Sequence, residues 1–314
     1  QGWRMDDIVA LIRGAADTAV LLDILPAEAG VDGKHQLISL TRKRIALQDQ
    51  HARKTIIPVA GGNATRRIGV ISLPSFYHDF EARQNGDRNF RSAAQDVARL
   101  LGELKAEKVD SVLIDLRNNG GGSLTEAIEL TGLFVGRGPV VQQRDATGEV
   151  TVGRGSRSGL AWGGPLGVLI NRGSASASEI FAAAIQDYGR GLVIGETSYG
   201  KGTVQAVFNL DQVGNTGQPK LGQLIVTIAQ FFRIDGGSTQ LRGVKPDILL
   251  PGAFENESFG ESSLNSPLPW SQIRAANYSS TGNLKSLLPV LVMRHEARVT
   301  IDKDFGYLKQ DMAE

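Results

Sequence analysis

The 314-residue chain has no cysteine, which excludes disulfide scaffolds, thiol nucleophiles and Cys-based metal sites. The redox compartment stays open, because a thiol-free chain suits either. No apolar run approaches the ~18 residues that span a bilayer, so no stable membrane insertion is expected. A charge excess is missing too: 34 Lys and Arg against 33 Asp and Glu leave +1, which gives no reason to expect nucleic acid or an anionic membrane as partner. No His, Asp or Glu cluster has metal-ligand spacing, so no metal enzyme is expected. The chain opens on Gln1 with no charged-then-apolar leader behind it and reads as a mature or excised segment.

Glycine is in excess, at 38 residues or about 12% against a usual ~7%, and predicts tight turns and sites built from backbone. With 41% hydrophobic and 21% charged residues the chain is not generally disordered. Its length suggests two domains at ~150 residues each.

Asp6–Gly14 has helical spacing, and β-rich runs follow at Ala19–Leu25 and Gln36–Leu40. Residues 46–66 are polar and basic and read as a linker or edge segment. From Ile68 the pattern is α/β. Strands are predicted at Ile68–Leu73, Ser111–Leu116, Val140–Gln143, Gly167–Asn171, Leu192–Gly195, Thr203–Phe208 and Leu224–Phe232. Helices are predicted at Phe90–Lys108, Leu124–Phe134 and Ser178–Tyr188. The alternation implies a sheet covered by helices. After Pro251 the composition turns to Asn, Ser, Glu and Pro, and an amphipathic stretch, Leu284–Lys309, closes the chain.

The run Gly173-Ser174-Ala175-Ser176-Ala177-Ser178-Glu179 leads from an apolar strand into a helix. Small residues there let a hydroxyl stand exposed beside the free N–H groups of a helix start, as a serine nucleophile requires. Ser176 and Glu179 equally fit a capping box, and both readings stay open on this motif alone. His35, His51, His78 and His295 lie in polar or loop-like surroundings and read as solvated surface histidines, leaving lysine as the other partner for a serine. Lys201 sits between glycines just before a strand. The segment Gly195–Lys201 fits a phosphate-binding loop except that Gly202 replaces the Ser or Thr that holds Mg²⁺. A strand rather than a helix follows, so nucleotide hydrolysis is rejected. Asn118-Asn119-Gly120-Gly121-Gly122, after a buried strand, suits either an oxyanion nest or a plain strand-to-helix turn.

Together these pieces resemble the carboxyl-terminal processing proteases, peptidase family S41, and most closely their bacterial tail-specific members. The match rests on Asp115–Gly122, Ser174–Ala184, the Gly-Lys-Gly-Thr-Val-Gln run ending at Gln205, and Gly243–Ile248, with the Leu268-Pro269-Trp270 region behind them. The spacing fits as well, with 25 residues from Ser176 to Lys201 and four from Lys201 to Gln205. That spacing picks Ser176 from the three serines.

The resemblance implies Ser176 as nucleophile, Lys201 as general base and Gln205 as the side chain holding the amine. Oxyanion donors would be the N–H of Ala177 and one from Gly121 or Gly122. A lysine acts as base only when neutral. Its ordinary value of ~10.4 must fall to about 7–8, a change worth ~4 kcal/mol, and enclosure among apolar neighbours is the available cause. The flanking glycines are read as making room for that enclosure. Glu179 is read as cap partner and Asp187 as support for the helix end, since eleven residues of helix put Asp187 about 16 Å from Ser176.

The implied fold is α/β. A crotonase- or ClpP-like protease core would occupy 46–250, after the C-terminal half of a PDZ domain at 1–45 and before a helical extension at 251–314. The front half of that PDZ domain, with its carboxylate-binding loop, has no counterpart here, so a complete groove for strand addition is not expected. The implied activity is that of a serine endopeptidase acting on polypeptides with apolar, unstructured C-termini in a periplasmic or otherwise extracytoplasmic setting. An adaptor protein is a further expected partner, and no cofactor is expected. The contrasting reading is an inactive peptide-binding scaffold of the same fold. An acyl-CoA enzyme of the crotonase type shares the oxyanion logic but has no use for Ser176 and Lys201 at this spacing.

Overall fold

The computed structural model describes residues 11–15, 17–26, 30, 33–43, 51–61, 64–79, 82, 86, 90–212, 221–251, 259–282 and 284–311. The chain divides into two compact units, Gln1–Asp49 and Gln50–Glu314.

In the first unit, β1 (Ala19–Ile24) and β2 (Gln36–Thr41) form an antiparallel pair, Ala19 opposite Thr41 and Ile24 opposite Gln36. The Arg42 guanidinium ties the ends together, donating to the carbonyls of Ile12 (2.7 Å) and Ala19 (3.1 Å) and to the Thr18 hydroxyl (3.0 Å). Of the helix expected at Asp6–Gly14, residues 6–10 lie outside the described residues; Leu11 and Ile12 are helical.

The second unit is built on two sheets. The strand β3 (Arg53–Gly61) runs antiparallel to β4 (Ala64–Ser72) along its whole length. Parallel strands follow: β4 beside β5 (Ser111–Asp115), then β8 (Leu166–Ile170), β9 (Leu192–Gly195) and the short β12 (Ile248–Leu249). The sheet order is β12-β9-β8-β5-β4-β3. A second, antiparallel sheet has the order β10-β11-β6-β7, from β6 (Gly138–Asp145), β7 (Val150–Gly155), β10 (Thr203–Asn209) and β11 (Gln223–Phe232).

Of the two alternatives for the polar stretch 46–66, a linker or an edge segment, Arg53–Gly61 takes the second: it is the edge strand β3, where Pro58 is tolerated and Lys54 reaches Glu103 at 3.0 Å. The strand β7 escaped notice because two glycines interrupt its short alternation.

Two helices pack on the parallel sheet, α1 (Ala93–Ala106) against β4 and α3 (Ala177–Asp187) against β9, while α2 (Leu124–Val135) lies against both of them and against β6 and β7 of the antiparallel sheet. Ser92 caps α1 by accepting from Gln95 N at 3.2 Å. Ser123 stands at the same position of α2, accepting from Glu126 N at 3.4 Å. The α3 sequence ASEIFAAAIQD is apolar nearly all round, as a helix buried on every side must be, and its small alanines admit close neighbours. Phe181 of α3 meets Phe134 of α2 edge-on, ring centroids 5.7 Å apart, both fully buried. The closing stretch is two helices rather than one, α4 (Leu284–Ile301) and α5 (Lys303–Asp311). Asp302 breaks it by capping α5, its carboxylate accepting from Asp304 N at 3.0 Å and Phe305 N at 3.3 Å. Among the described residues, no helix is long and apolar enough to cross a membrane.

The α2–α3 contact fixes the helix that carries the serine run. Phe181→Ala is expected to cost about 3–5 kcal/mol, read as a lowered urea midpoint with unchanged slope.

Candidate active site

The carboxyl ends of parallel strands are where open α/β sheets bind ligands, because connecting loops and helix N-termini converge there. Loops after β5, β8 and β9 meet at that edge.

The loop after β5 is organised by Asn119, which is fully buried. Its amide donates to Leu73 O (2.8 Å) and accepts from Gly121 N (2.9 Å). Its backbone carbonyl accepts from Ala175 N (3.0 Å) and from the Ser178 hydroxyl (2.8 Å). A reciprocal pair, Asn118 N to Asn171 Oδ1 (2.8 Å) and Asn171 Nδ2 to Asn118 Oδ1 (2.9 Å), joins this loop to the one after β8. Gly122 is required as glycine: its φ is +140°, and a Cβ there would lie 2.4 Å from Phe76 O.

The loop after β8 carries the three serines. Ser174 and Ser178 are fully buried with committed hydroxyls, Ser174 donating to Leu116 O at 2.8 Å and Ser178 to Asn119 O. Ser176 is the serine of the three that lines the cavity at the head of α3. Its backbone, at φ +56° and ψ −111°, is a conformation L-residues avoid, at a cost on the order of 1–3 kcal/mol. The result is a sharp elbow from strand to helix.

Glu179 lies beneath the elbow, fully buried. One carboxylate oxygen accepts from Ser176 N (2.8 Å) and Lys201 N (3.0 Å), the other from Gly200 N (2.7 Å) and the Ser198 hydroxyl (2.7 Å). Burial pushes its carboxyl up to about 7, against the opposing pull of these donors. The amides that a phosphate loop would offer an anion are therefore spent on Glu179. The chain after Lys201 is the strand β10, not a helix.

Lys201 is half-buried, and its Nζ donates to Gln205 Oε1 at 3.0 Å. A bulge between Val204 and Gln205 interrupts the pairing of β10 with β11. The expected enclosure among apolar neighbours is not what the structure shows: Lys201 borders two open cavities, and its amine has a polar partner. No hydrogen bond joins Ser176 Oγ to Lys201 Nζ. Ser176, Ala177, Gly122, Lys201 and Gln205 all line one cavity of about 660 Å³. The Gly121 N–H is committed to Asn119, whereas those of Ala177 and Gly122 carry no hydrogen bond among the described residues.

Asp187 stands at the far end of α3, ion-paired with Arg233. It borders a separate cavity of about 400 Å³ that contains neither Ser176 nor Lys201. Burial raises its carboxyl, with Arg233 opposing.

Two histidines correct the surface reading. His78 is buried, its Nδ1 2.6 Å from the fully buried Glu126 carboxylate, which also accepts from Ser92 Oγ at 2.7 Å. His295 is buried on α4 with Arg298 at 2.9 Å. Their polar sequence neighbours gave no sign that the fold would supply each a partner. His35 is exposed beside Asp23 at 3.0 Å, and His51 is half-buried 3.9 Å from Asp96. Among the described residues, no group of three or more His, Asp or Glu side chains is placed to hold a metal ion.

Sequence reasoning missed Ser198 and Gln240. Ser198 Oγ links Glu179 to Val244 N (2.7 Å). Gln240 accepts from Gly202 N (2.8 Å). The only available signal was that both fall in or beside the motifs around Lys201 and Gly243.

A strained serine at a helix head, unbonded amides beside it and a lysine meet on one cavity. Residues 67–250 match peptidase family S41, and residues 254–314 match the C-terminal domain of tail specific protease. The chain belongs to peptidase family S41. It is 41% identical over 314 residues to the tail-specific protease of Haemophilus influenzae, covering 99% of this chain and 42% of that protein. To the chloroplastic carboxyl-terminal-processing peptidase 2 of Arabidopsis thaliana it is 33% identical, covering 80% of this chain and 44% of that one. Among solved structures, the photosystem II D1 C-terminal processing protease is similar with a TM-score of 0.53 at 27% identity, over 79% of this chain and 60% of that chain. The chain thus spans less than two thirds of the length of these relatives.

The folded-state value of Glu179, about 7, lies above its ordinary 4.5, so the folded protein holds this proton more tightly than the unfolded chain. Its contribution to stability is complete below about pH 4.5 and is lost as pH rises through 7. Relative to Glu179→Gln, which does not titrate, the wild type is expected to lose on the order of 3 kcal/mol between those limits and nothing further above them. Urea denaturation of both proteins from pH 4.5 to 8 measures this.

Proposed function

We propose that the chain is the catalytic part of a serine endopeptidase that works through a Ser176–Lys201 dyad. The observation that carries the reading is the fate of the three serines: two hydroxyls are locked in the interior, and the third lines a cavity with two unbonded N–H groups and a lysine amine. Ser176 Oγ attacks the peptide carbonyl carbon as the neutral Lys201 amine takes its proton. The oxygen that gains charge is received by the N–H groups of Ala177 and Gly122, the committed Gly121 N–H dropping out of the earlier pair of choices. Lys201, now an ammonium, passes the proton to the departing amine, the C–N bond breaks, and an acyl-enzyme remains. Water, deprotonated by Lys201, then releases the acyl group. Gln205 positions the amine throughout, while Glu179 and Asp187 are supports.

The finer readings rest on the family resemblance. They are a crotonase- or ClpP-like core at 46–250, a PDZ half at 1–45, a helical extension at 251–314, substrates with apolar unstructured C-termini, an adaptor protein and an extracytoplasmic setting.

Incubation with an unstructured polypeptide ending in apolar residues tests the mechanism. Wild type is expected to cleave it and Ser176→Ala to leave it intact. Lys201→Arg keeps its positive charge but stays protonated, and is expected to lose activity by about 10²–10⁴-fold. Vigorous cleavage by the arginine variant would overturn the base assignment, and equal substrate survival with wild type and Ser176→Ala would favour a peptide-binding scaffold.

A further inference from the structure

We propose that a second cavity, of about 580 Å³, receives the substrate segment on the carboxyl side of the scissile bond and selects apolar side chains there. This rests on the peptidase reading.

The two cavities share Gly120, Lys201, Thr203 and Gln205. Only the larger also holds Ser176 and the N–H groups of Ala177 and Gly122, so the reacting carbonyl and the acyl portion lie there. The leaving amine must collect its proton from Lys201. The chain that continues from that amine therefore starts at Lys201, and the space on the lysine's other side is the second cavity. Its walls are mixed: Lys201, Thr203, Gln205 and Glu261 line it beside a run of apolar side chains, Tyr199 with Phe259, ring centroids 5.8 Å apart, then Leu264, Pro267 and Leu268. Phe259, Leu264 and Leu268 are 45%, 50% and 43% exposed, three large apolar side chains on the wall of one groove.

The wall is built before any substrate arrives. Glu261 N donates to Tyr199 O at 3.1 Å, and Arg172 donates to Phe259 O at 2.6 Å. The fully buried Gln240 amide donates to Glu261 Oε1 (3.0 Å) and Leu268 O (3.1 Å) while accepting from Gly202 N. One side chain thus locks residues 261 and 268 to the residue that follows the lysine. The segment 259–268 falls within the match to the C-terminal domain, so that domain completes the cleft.

The test is to digest an unstructured polypeptide of mixed composition and map every cut by mass spectrometry. With wild type, apolar residues in the first two positions after the cut are expected to exceed glycine and acidic residues by about tenfold in cleavage rate. Leu264→Asp, and separately the milder Leu264→Ala, should shrink that preference to about threefold or less, each variant first checked for a native-like melting temperature. A flat preference in wild type, or one undiminished in both variants, would overturn the subsite assignment. Absence of any cuts beyond those seen with Ser176→Ala is a different failure, that of the peptidase reading itself.

Discussion

A single carboxylate oxygen of Glu179 holds the backbone N–H of Ser176 and that of Lys201. Everything else in the site depends on this joint. It fixes the distance between the main chains of the two residues by the reach of two hydrogen bonds to one atom, with no rotamer in between. A buried carboxylate without a cation is costly. Four donors and a place in the first turn of α3 offset the cost, since hydrogen bonds to a charged acceptor contribute about 1.5–3 kcal/mol each and a helix N-terminus favours negative charge. Burial still raises the carboxyl to about 7, so the offset is incomplete. Glu179 thus accepts from Ser176 N as a capping-box partner does, and it also connects the helix to the loop of the lysine, which the S-x-x-E pattern alone did not suggest.

The joint spans two sheets. Ser176 sits on the elbow between the parallel strand β8 and α3, whereas Lys201 stands two residues before β10 of the antiparallel sheet and Gln205 lies within it. Strain at Ser176 persists because neighbours over-determine it: Ala175 N is bonded to Asn119 O, and Ser174 and Ser178 are pinned on either side. Parallel strands β5 and β8, paired residue by residue from Val112 to Asp115, set the two loops at the spacing that lets Asn118 and Asn171 close on each other.

Much of this was legible in the sequence, for reasons that differ between elements. Strand alternation and helical period exposed β5, β8, β9 and α1 to α3 because each is a regular element with one buried pattern. The proposed pairing of Ser176 with Lys201 comes only from the family resemblance, because no local rule links Ser176 to a residue 25 positions away. Periodicity could not see β3, whose basic residues pair with acids on α1, nor the bulge at Val204/Gln205, which is a property of two strands together. His78 was misread for the same reason: its partner Glu126 lies 48 positions on, and burial of such a pair leaves no mark on the residues beside it. Ser198 and Gln240 are ordinary polar residues until the fold aims them.

The glycines around Lys201 serve a different end from the one expected of them. They were read as room for an enclosed amine, yet the amine borders open cavities. A Cβ on Gly202 would lie 2.7 Å from Ser238 Oγ and 2.8 Å from Gln240 N, so glycine is needed to bring the main chain against that turn. Once there, every backbone polar group of the Lys201–Gly202 pair is held. Lys201 N bonds Glu179, its carbonyl accepts from Thr239 Oγ1 (3.2 Å), Gly202 N bonds Gln240, and Gly202 O accepts from Phe231 N (2.9 Å). What the glycines enclose is the backbone of the lysine, not its amine. A lysine fixed by its main chain can leave its side chain facing the cleft without losing its register with the serine.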